Sequence, residues 1–230
     1  MKLYFRKLLI MCSVVLLSVA LFIYVSFSGF PWKKYTVGKE IQAYLDERYD
    51  QPFLIKDRLY NFKDGKYGIK ATPVKEADLQ FTAWEGYGDY EYIDYYPEAV
   101  WEKQVYDDFE EIVNKIYPDH TMYNASTAMG FGNELVKGPE IPSYRDVDVL
   151  TSIAISTRGS VVGNDSEFAR MLAILSEIKK AEANIEVSFH YYRTTEQKIE
   201  YLHFDRTIIN KITTIEDVKK MARMSVWVNN

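Results

Sequence analysis

The feature that most constrains this chain is an uninterrupted apolar run near its start. From Leu8 to Phe27 there is no charged side chain, and the polar groups are Ser13, Ser18, Ser26 and the Tyr24 hydroxyl. A helix needs about 20 apolar residues to cross the hydrocarbon core of a bilayer, and a few hydroxyls are tolerated there because they bond locally. The run therefore predicts a membrane-spanning helix. Lys2, Arg6 and Lys7 precede it, and Phe30, Trp32, Lys33 and Lys34 follow it. Positive charge is biased toward the cytoplasmic side and aromatic rings gather at the interface. The expected topology is a single-pass cell-membrane protein with a cytoplasmic N-terminus, although Lys33 and Lys34 pull the other way. Residues 1–32 are then arm and anchor, and residues 33–230 an extracytoplasmic domain, with a subdivision near residue 95.

Two other readings compete for the same run. A cleaved signal peptide would end at Ser26-Phe27-Ser28, where small residues flank a possible cut, and a lipoprotein signal would use Cys12. The run exceeds the usual signal-peptide core of about 7–15 residues. Met11 is too bulky for the position before a lipidated cysteine, and the apolar run continues past it. An uncleaved anchor is the expectation.

Cys12 is the single cysteine, so the domain beyond the run has no disulfide, no thiolate nucleophile and no cysteine-based zinc site. About 200 residues suffice without such staples, because a chain of that size buries roughly 70% of its unfolded surface. Of 28 Lys and Arg, three lie before the run, which leaves 25 against 33 Asp and Glu, a net charge of −8. Between Asp89 and Glu111 there are nine acids and one base, Lys103. Nucleic acid is excluded as a partner on this ground, since phosphate backbones demand clustered Lys and Arg.

Periodicity and caps predict four helices after the run. The first covers Thr36 to Tyr49, with Val37, Ile41, Tyr44 and Leu45 inward. The second begins near Pro97, a residue suited to the first helical position, and stops before Pro118. The third starts at Asn164 with Glu167 as a capping-box partner and carries Phe168, Met171, Leu172, Ile174, Leu175 and Ile178. The fourth runs from Ile215 to Arg223 behind Thr213. Strands are predicted over Phe53 to Phe62, Tyr67 to Thr72, Leu79 to Glu85, Val147 to Thr157, Ile185 to Tyr192, Ile199 to Arg206 and Ser225 to Val228. The first two are joined through Asp64-Gly65, a strong hairpin signal. Helix-then-strands units of this kind predict an α+β fold with an antiparallel sheet. His120 to Asp146, broken by Gly130, Gly132, Gly138, Pro139 and Pro142, fits no period and is expected to be a long loop.

One stretch resembles a known group. Lys34-Tyr35, Lys39-Glu40-Ile41, Tyr44-Leu45, Tyr49, Phe53, Ile55-Lys56, Tyr60-Asn61-Phe62-Lys63-Asp64-Gly65 and Tyr67 are similar to small, uncharacterised membrane-anchored proteins of Gram-positive bacteria. The resemblance covers roughly residues 1–85 and implies one N-terminal span followed by a helix and a hairpin. Its residues are structural types, so it carries no catalytic residue across.

No phosphate loop, HExxH or GxSxG is present. Gly130-Phe131-Gly132 is followed by Leu135 where a dinucleotide fingerprint requires glycine or alanine. The most specific constellation lies on the last hairpin. A turn centred between Glu196 and Gln197 would pair Phe189 with Phe204 and Tyr191 with Leu202 on one face. On the other face His190 would meet His203, Tyr192 would meet Tyr201, and Ser188 would meet Asp205. Directly opposed residues lie about 4.5–5.5 Å apart at Cβ, so His190, His203 and Asp205 form a candidate metal site, with zinc the metal that two imidazoles suit. The bland alternative is a half-exposed polar sheet face. Left metal-free, two imidazoles so close would lower the pKa of at least one. A Ser188, His190, Asp205 hydrolase is disfavoured, because neighbouring strand positions do not supply nucleophile, base and oxyanion hole together.

The second candidate is a ligand-binding surface made of Trp84, Tyr87, Asp89, Tyr90, Glu91, Tyr92 and Asp94, followed by Tyr95 and Tyr96. Aromatics interleaved with carboxylates suit sugars or peptides. The spacing lacks the central glycine of a calcium loop, and tyrosines packed onto a sheet with solvated acids between them would give the same pattern. Asp107, Asp108, Glu110 and Glu111 read as the solvated face of a helix, not as paired catalytic carboxylates. No cofactor is expected and no catalytic residue is nominated. The reading that results is a membrane-anchored interaction or accessory protein whose domain contacts an envelope protein, a peptide or a wall polymer. The alternatives are an envelope hydrolase using carboxylates or a His/Asp metal site, and a pH or ligand sensor acting through a partner.

Overall fold

The apolar run forms α1 (Lys2–Ser28), a helix of 27 residues and hence about 40 Å long at 1.5 Å per residue. In the structure, a computed structural model that describes residues 2–193 and 198–228, it lies in the one helical stretch among the described residues that is long and apolar enough to cross a membrane. Two residues separate it from α2 (Pro31–Tyr49). Gly29 adopts φ +69, and Phe30 is extended, with Pro31 opening the new helix. Proline is preorganised for that position, which is why α2 begins five residues before the Thr36 start that periodicity predicts.

The chain divides into two compact units, Met1–Tyr96 and Pro97–Asn230. In the first, α2 lies on a four-stranded antiparallel sheet of β1 (Phe53–Asn61), β2 (Lys66–Pro73), β3 (Phe81–Glu85) and β4 (Tyr92–Asp94), in that order. The Asp64-Gly65 turn joins β1 and β2 as expected, with Gly65 at φ +65. Val37, Ile41, Leu45 and Tyr49 of α2 are buried together with Phe53, Ile69, Ala71, Phe81 and Ala83 of the strands. A bulge between Ile55 and Asp57 shifts the register of β1. An extra residue inverts the alternation beyond it. Arg58 and Tyr60 therefore oppose Ile69 and Tyr67 and face the helix side, where unbroken alternation would have placed Asp57 and Leu59.

The second unit contains α3 (Tyr96–Ile116), β5 (Met122–Thr127), α4 (Gly132–Leu135), β6 (Thr151–Arg158), α5 (Asp165–Lys180), β7 (Ile185–Arg193), β8 (Lys198–Phe204), α6 (Arg206–Ile209), α7 (Ile215–Met221) and β9 (Arg223–Val228). Its sheet runs β5-β6-β7-β8-β9. Ile153, Ile155, Val187, Phe189, Leu202 and Phe204 are buried on one face, with Trp101, Val105 and Phe109 of α3 and Met171, Ile174, Leu175 and Ile178 of α5. The fold is α+β, as the patterns predict. One pair departs from the antiparallel expectation, because β6 and β7 run parallel. They are joined through the 16-residue α5, and a crossover of that length is what a parallel pair requires.

Two caps differ from expectation. Asn164 precedes α5 but makes no side-chain cap bond; its carboxamide oxygen accepts from the Ser166 hydroxyl at 2.6 Å, and Glu167 is occupied by Arg170 and Tyr191. The capping box appears instead at α7, one residue later than Thr213, between Thr214 and Asp217. The segment 120–146 contains β5 and α4. It is held by α3: Glu102 accepts from the Thr127 N–H at 3.1 Å, Gln104 from the Tyr144 N–H at 3.0 Å, and the Trp101 indole donates to Pro142 O at 2.9 Å. Asp108, expected on a solvated face, accepts from the Tyr144 hydroxyl at 2.8 Å and pairs with Arg145 at 2.9 Å.

Candidate functional site

The aromatic and acidic run is divided by the pleat of its strands. Trp84 and Ile93 point one way and Glu85, Tyr92 and Asp94 the other, since Trp84 opposes Ile93 and Ala83 opposes Asp94 in the ladder. Trp84 lies over Gly68, where a Cβ would come within 2.5 Å of its ring. That leaves it on the face away from α2. Tyr87, Asp89 and Tyr90 are exposed in the connecting turn, which closes through Gly86 N–H to Glu91 O at 2.7 Å.

Asp94 does not belong to a surface. Its side chain is 0% exposed, and it accepts from Arg48 at 3.1 Å, from the Tyr49 hydroxyl at 2.8 Å and from the Tyr96 N–H at 3.2 Å. Tyr44 completes the cluster, donating to Asp94 at 3.4 Å and accepting from Arg48. Desolvation pushes the Asp94 carboxyl above its ordinary range, against the opposing pull of Arg48. Burial likewise raises Tyr49 and Tyr44. This cluster ties β4 to α2, and sequence placed Asp94 outside only because an acid in a tyrosine-rich run gives no sign of a distant arginine.

What remains of the run forms a pocket. Glu91 and Tyr92 line it together with Lys33 and Glu40 of α2, Asp64, Gly65 and Lys66 of the hairpin, and Glu85 and Gly86, enclosing about 480 Å³. Four carboxylates face two ammonium groups, and both lysines are engaged. Lys33 pairs with Glu85 at 3.3 Å and lies 4.6 Å from the Tyr67 ring centre. Lys66 donates to Gly86 O and lies 4.0 Å from the Tyr87 ring. Asp64 accepts from Asn61 at 2.6 Å and from the Tyr87 hydroxyl at 3.2 Å. Burial, then the charges of Glu91 and Glu40, raises the Tyr92 phenol, and four carboxylates against two ammonium groups leave the pocket with net negative charge. Sequence reasoning missed Lys33, Glu40, Lys66 and Glu85 as its walls. The signal existed only in their placement, Lys33 and Glu40 on α2, Lys66 at the start of β2 and Glu85 at the end of β3.

On the hairpin of the second unit, the register is two residues away from the expected one. His190 opposes Tyr201 and His203 opposes Ser188; the turn centre expected at Glu196-Gln197 lies outside the described residues. An even slip keeps every side chain on its face, so the apolar and polar faces are as read while the direct histidine pairing is not formed. Asp205 has left the strand. It caps α6, accepting from the Ile208 N–H at 2.9 Å, and pairs with Arg223 at 3.3 Å. Among the described residues no three His, Cys, Asp or Glu side chains gather as a metal would require.

The polar face is instead a hydrogen-bonded row. Ser152 donates to Glu186 at 2.6 Å, Glu186 lies 3.6 Å from His203 Nε2, and His203 Nδ1 lies 3.3 Å from the Ser188 hydroxyl. Ser188 also meets the Tyr201 hydroxyl at 3.0 Å. Carboxylate, imidazole and hydroxyl thus follow one another, but their distances are long and the strand N–H groups around them are spent in the sheet ladder. His190 bonds Ser156 at 3.4 Å, and burial lowers its pKa below 6.5. The direction matches the expectation for a crowded imidazole, whereas the cause is desolvation and not the second histidine.

Comparison with known proteins bears on the first unit. Residues 5–85 match the family model described as YfjL-like, N-terminal domain, the same stretch that carries the resemblance noted from the sequence. The match spans α1, α2 and β1 to β3 and supports an uncharacterised domain family. A crystal structure of a DUF5037 family protein from Ruminococcus gnavus ATCC 29149 is similar over 83% of this chain and 90% of that one, at 12% identity and a TM-score of 0.38. No curated protein sequence matches the chain.

Proposed function

We propose that this is a membrane-anchored interaction or accessory protein that works without catalysis, α1 crossing the membrane with its N-terminus in the cytoplasm and both units outside it. The pocket of the first unit is its contact site, for an envelope protein, a peptide or a wall polymer that presents a positively charged group. The observation that carries this reading is the pocket's charge. Glu40, Asp64, Glu85 and Glu91 surround a cavity whose two lysines are already engaged by Glu85, Gly86 O and Tyr87. A further cation is what such a cavity complements, with Tyr87 and Tyr90 exposed beside it for stacking.

The test uses the full chain in nanodiscs and a lysine-rich peptide, with a glutamate-rich peptide of equal length as control. The lysine peptide is expected to bind in a salt-sensitive manner, and Glu40→Gln combined with Glu91→Gln to weaken it several-fold. Equal binding of the two peptides, or indifference to the double substitution, would remove the pocket from consideration. Topology is read separately, by protease protection of the C-terminal unit in sealed membrane vesicles of known orientation.

A further inference from the structure

The junction between α1 and α2 is held by hydrogen bonds and by close ring contacts, and that sets the depth of a neighbouring element. Gly29 N–H still bonds Val25 O at 2.8 Å, and the Phe30 N–H donates to the Tyr67 hydroxyl at 2.9 Å. A Cβ on Gly29 would lie 2.8 Å from the Tyr60 ring and 2.9 Å from the Tyr67 ring, so the chain leaves α1 pressed against β1 and β2. The β1 bulge contributes here, because it turns Tyr60 to this face. At the same level the Phe27 and Phe62 rings meet, 5.3 Å between centres, and Phe30 meets Trp32 at 4.7 Å. All four are exposed, Trp32 by 67% and Phe62 by 52%. Lys63 adjoins Phe62 and is exposed, and Lys34, two residues after Trp32, is partly exposed.

Phe27 is the last residue of the apolar run. If α1 spans the bilayer, Phe27 marks the hydrocarbon boundary, and a ring stacked on it shares that depth. Phe62 comes from the hairpin tip, 35 residues further along the chain, and keeps half of its surface exposed there.

From this we infer that Phe30, Trp32 and the Phe62-Lys63 hairpin tip form a collar that seats the first unit on the lipid headgroup layer around α1. The inference rests on the anchoring reading. Its occupant is a lipid surface with anionic headgroups, argued from continuity with the span, from rings that favour the interface, and from the lysines beside them, which such headgroups attract. The domain then stands upright on its anchor with one end wetted by lipid. The opposite end of the sheet, where the β2–β3 turn carries Asp78, faces water.

The experiment is depth measurement on the full chain with Cys12→Ser, reconstituted in vesicles of phosphatidylcholine and phosphatidylglycerol. Single nitroxide labels are placed at Phe62→Cys, Trp32→Cys, Val19→Cys and Asp78→Cys. Circular dichroism checks each fold, and Lys63→Cys replaces any collar variant that misfolds. The ratio of oxygen to nickel-chelate collisions is expected to be highest at position 19. At 62 and 32 it should lie several-fold above the value at 78. Position 62 matching 78 while 19 stays immersed would overturn the collar and leave the anchor standing. An aqueous signal at 19 would overturn the anchor itself. Shielding of 62 from both reagents would mean that protein covers the collar, which also overturns the lipid assignment.

Discussion

Asp94 and Glu98 stand four residues apart, on either side of the boundary between the two units, and both are buried, at 0% and 2% exposure. The first is answered by side chains, Arg48 and the phenol of Tyr49, reached across 46 and 45 positions of sequence. The second is answered by backbone, accepting from the Gly130 N–H at 3.0 Å and the Gly132 N–H at 2.8 Å. A buried carboxylate must be matched by donors or by charge. In the first unit a guanidinium supplies charge and locks a strand to a helix. In the second, main-chain amides supply donors and fold a glycine-rich segment over α3. The difference explains Gly130-Phe131-Gly132 without any nucleotide. Gly130 adopts φ +96, which favours glycine, and a Cβ on Gly132 would lie 2.5 Å from the Glu98 carboxylate and 2.9 Å from Pro97.

The contrast can be broken most severely in the first unit. Arg48→Met leaves the Asp94 charge buried without its cation and is expected to destabilise the fold by about 3–5 kcal/mol, read from urea unfolding of the full chain in detergent. A loss under 1 kcal/mol, on that same scale of about 3–5, would show that the phenols alone hold the carboxylate.

A smaller loss is expected in the second unit. Glu98→Ala should cost about 1.5–3 kcal/mol, the range for bonds to a charged acceptor. It should also release the Gly130 and Gly132 amides to hydrogen exchange, while Glu98→Gln, which keeps an acceptor oxygen, should retain most of the protection. If both variants exchange alike, charge and not donor geometry governs the loop.

The smallest effect is a pH dependence. The pKa of His190 is lowered by burial from an ordinary value of 6.5, so below 6.5 the unfolded chain takes up the proton first. Stability from this residue is therefore present above pH 6.5 and declines as the pH falls through 6.5 toward the lower folded-state value. Melting temperatures of the wild type and His190→Gln should converge or cross as the pH is lowered from 7.5 to 5, in the window where histidine titrates. Parallel curves would assign no such role to His190.

Periodicity and turn chemistry read directly as elements where the signal is local. The apolar run became α1, Asp64-Gly65 closed its hairpin, and α5 carried the wide apolar face expected of it. β4 and β5 escaped notice because three residues of Tyr92–Asp94 and a polar alternation in Met122–Thr127 are too short or too hydrophilic to stand out. The candidate sites were less legible still. Tyr87, Asp89, Tyr90, Glu91 and Tyr92 do lie at or beside the pocket, yet its other walls come from α2 and the hairpin.

By itself the sequence determined which segments are apolar enough to cross a bilayer or line a core, and which face of β7 and β8 is buried. Those properties follow from residue type and spacing, and they survive any shift that keeps the period. Only the tertiary structure decided which residues meet. An even slip on β7 and β8 preserves the alternation while replacing a histidine pair with His190 opposite Tyr201 and His203 opposite Ser188, so no pattern could have detected it. Asp94 is the same lesson in electrostatic form. Whether an acid is solvated or buried depends on a cation 46 residues away, and proximity in space leaves no trace in spacing along the chain.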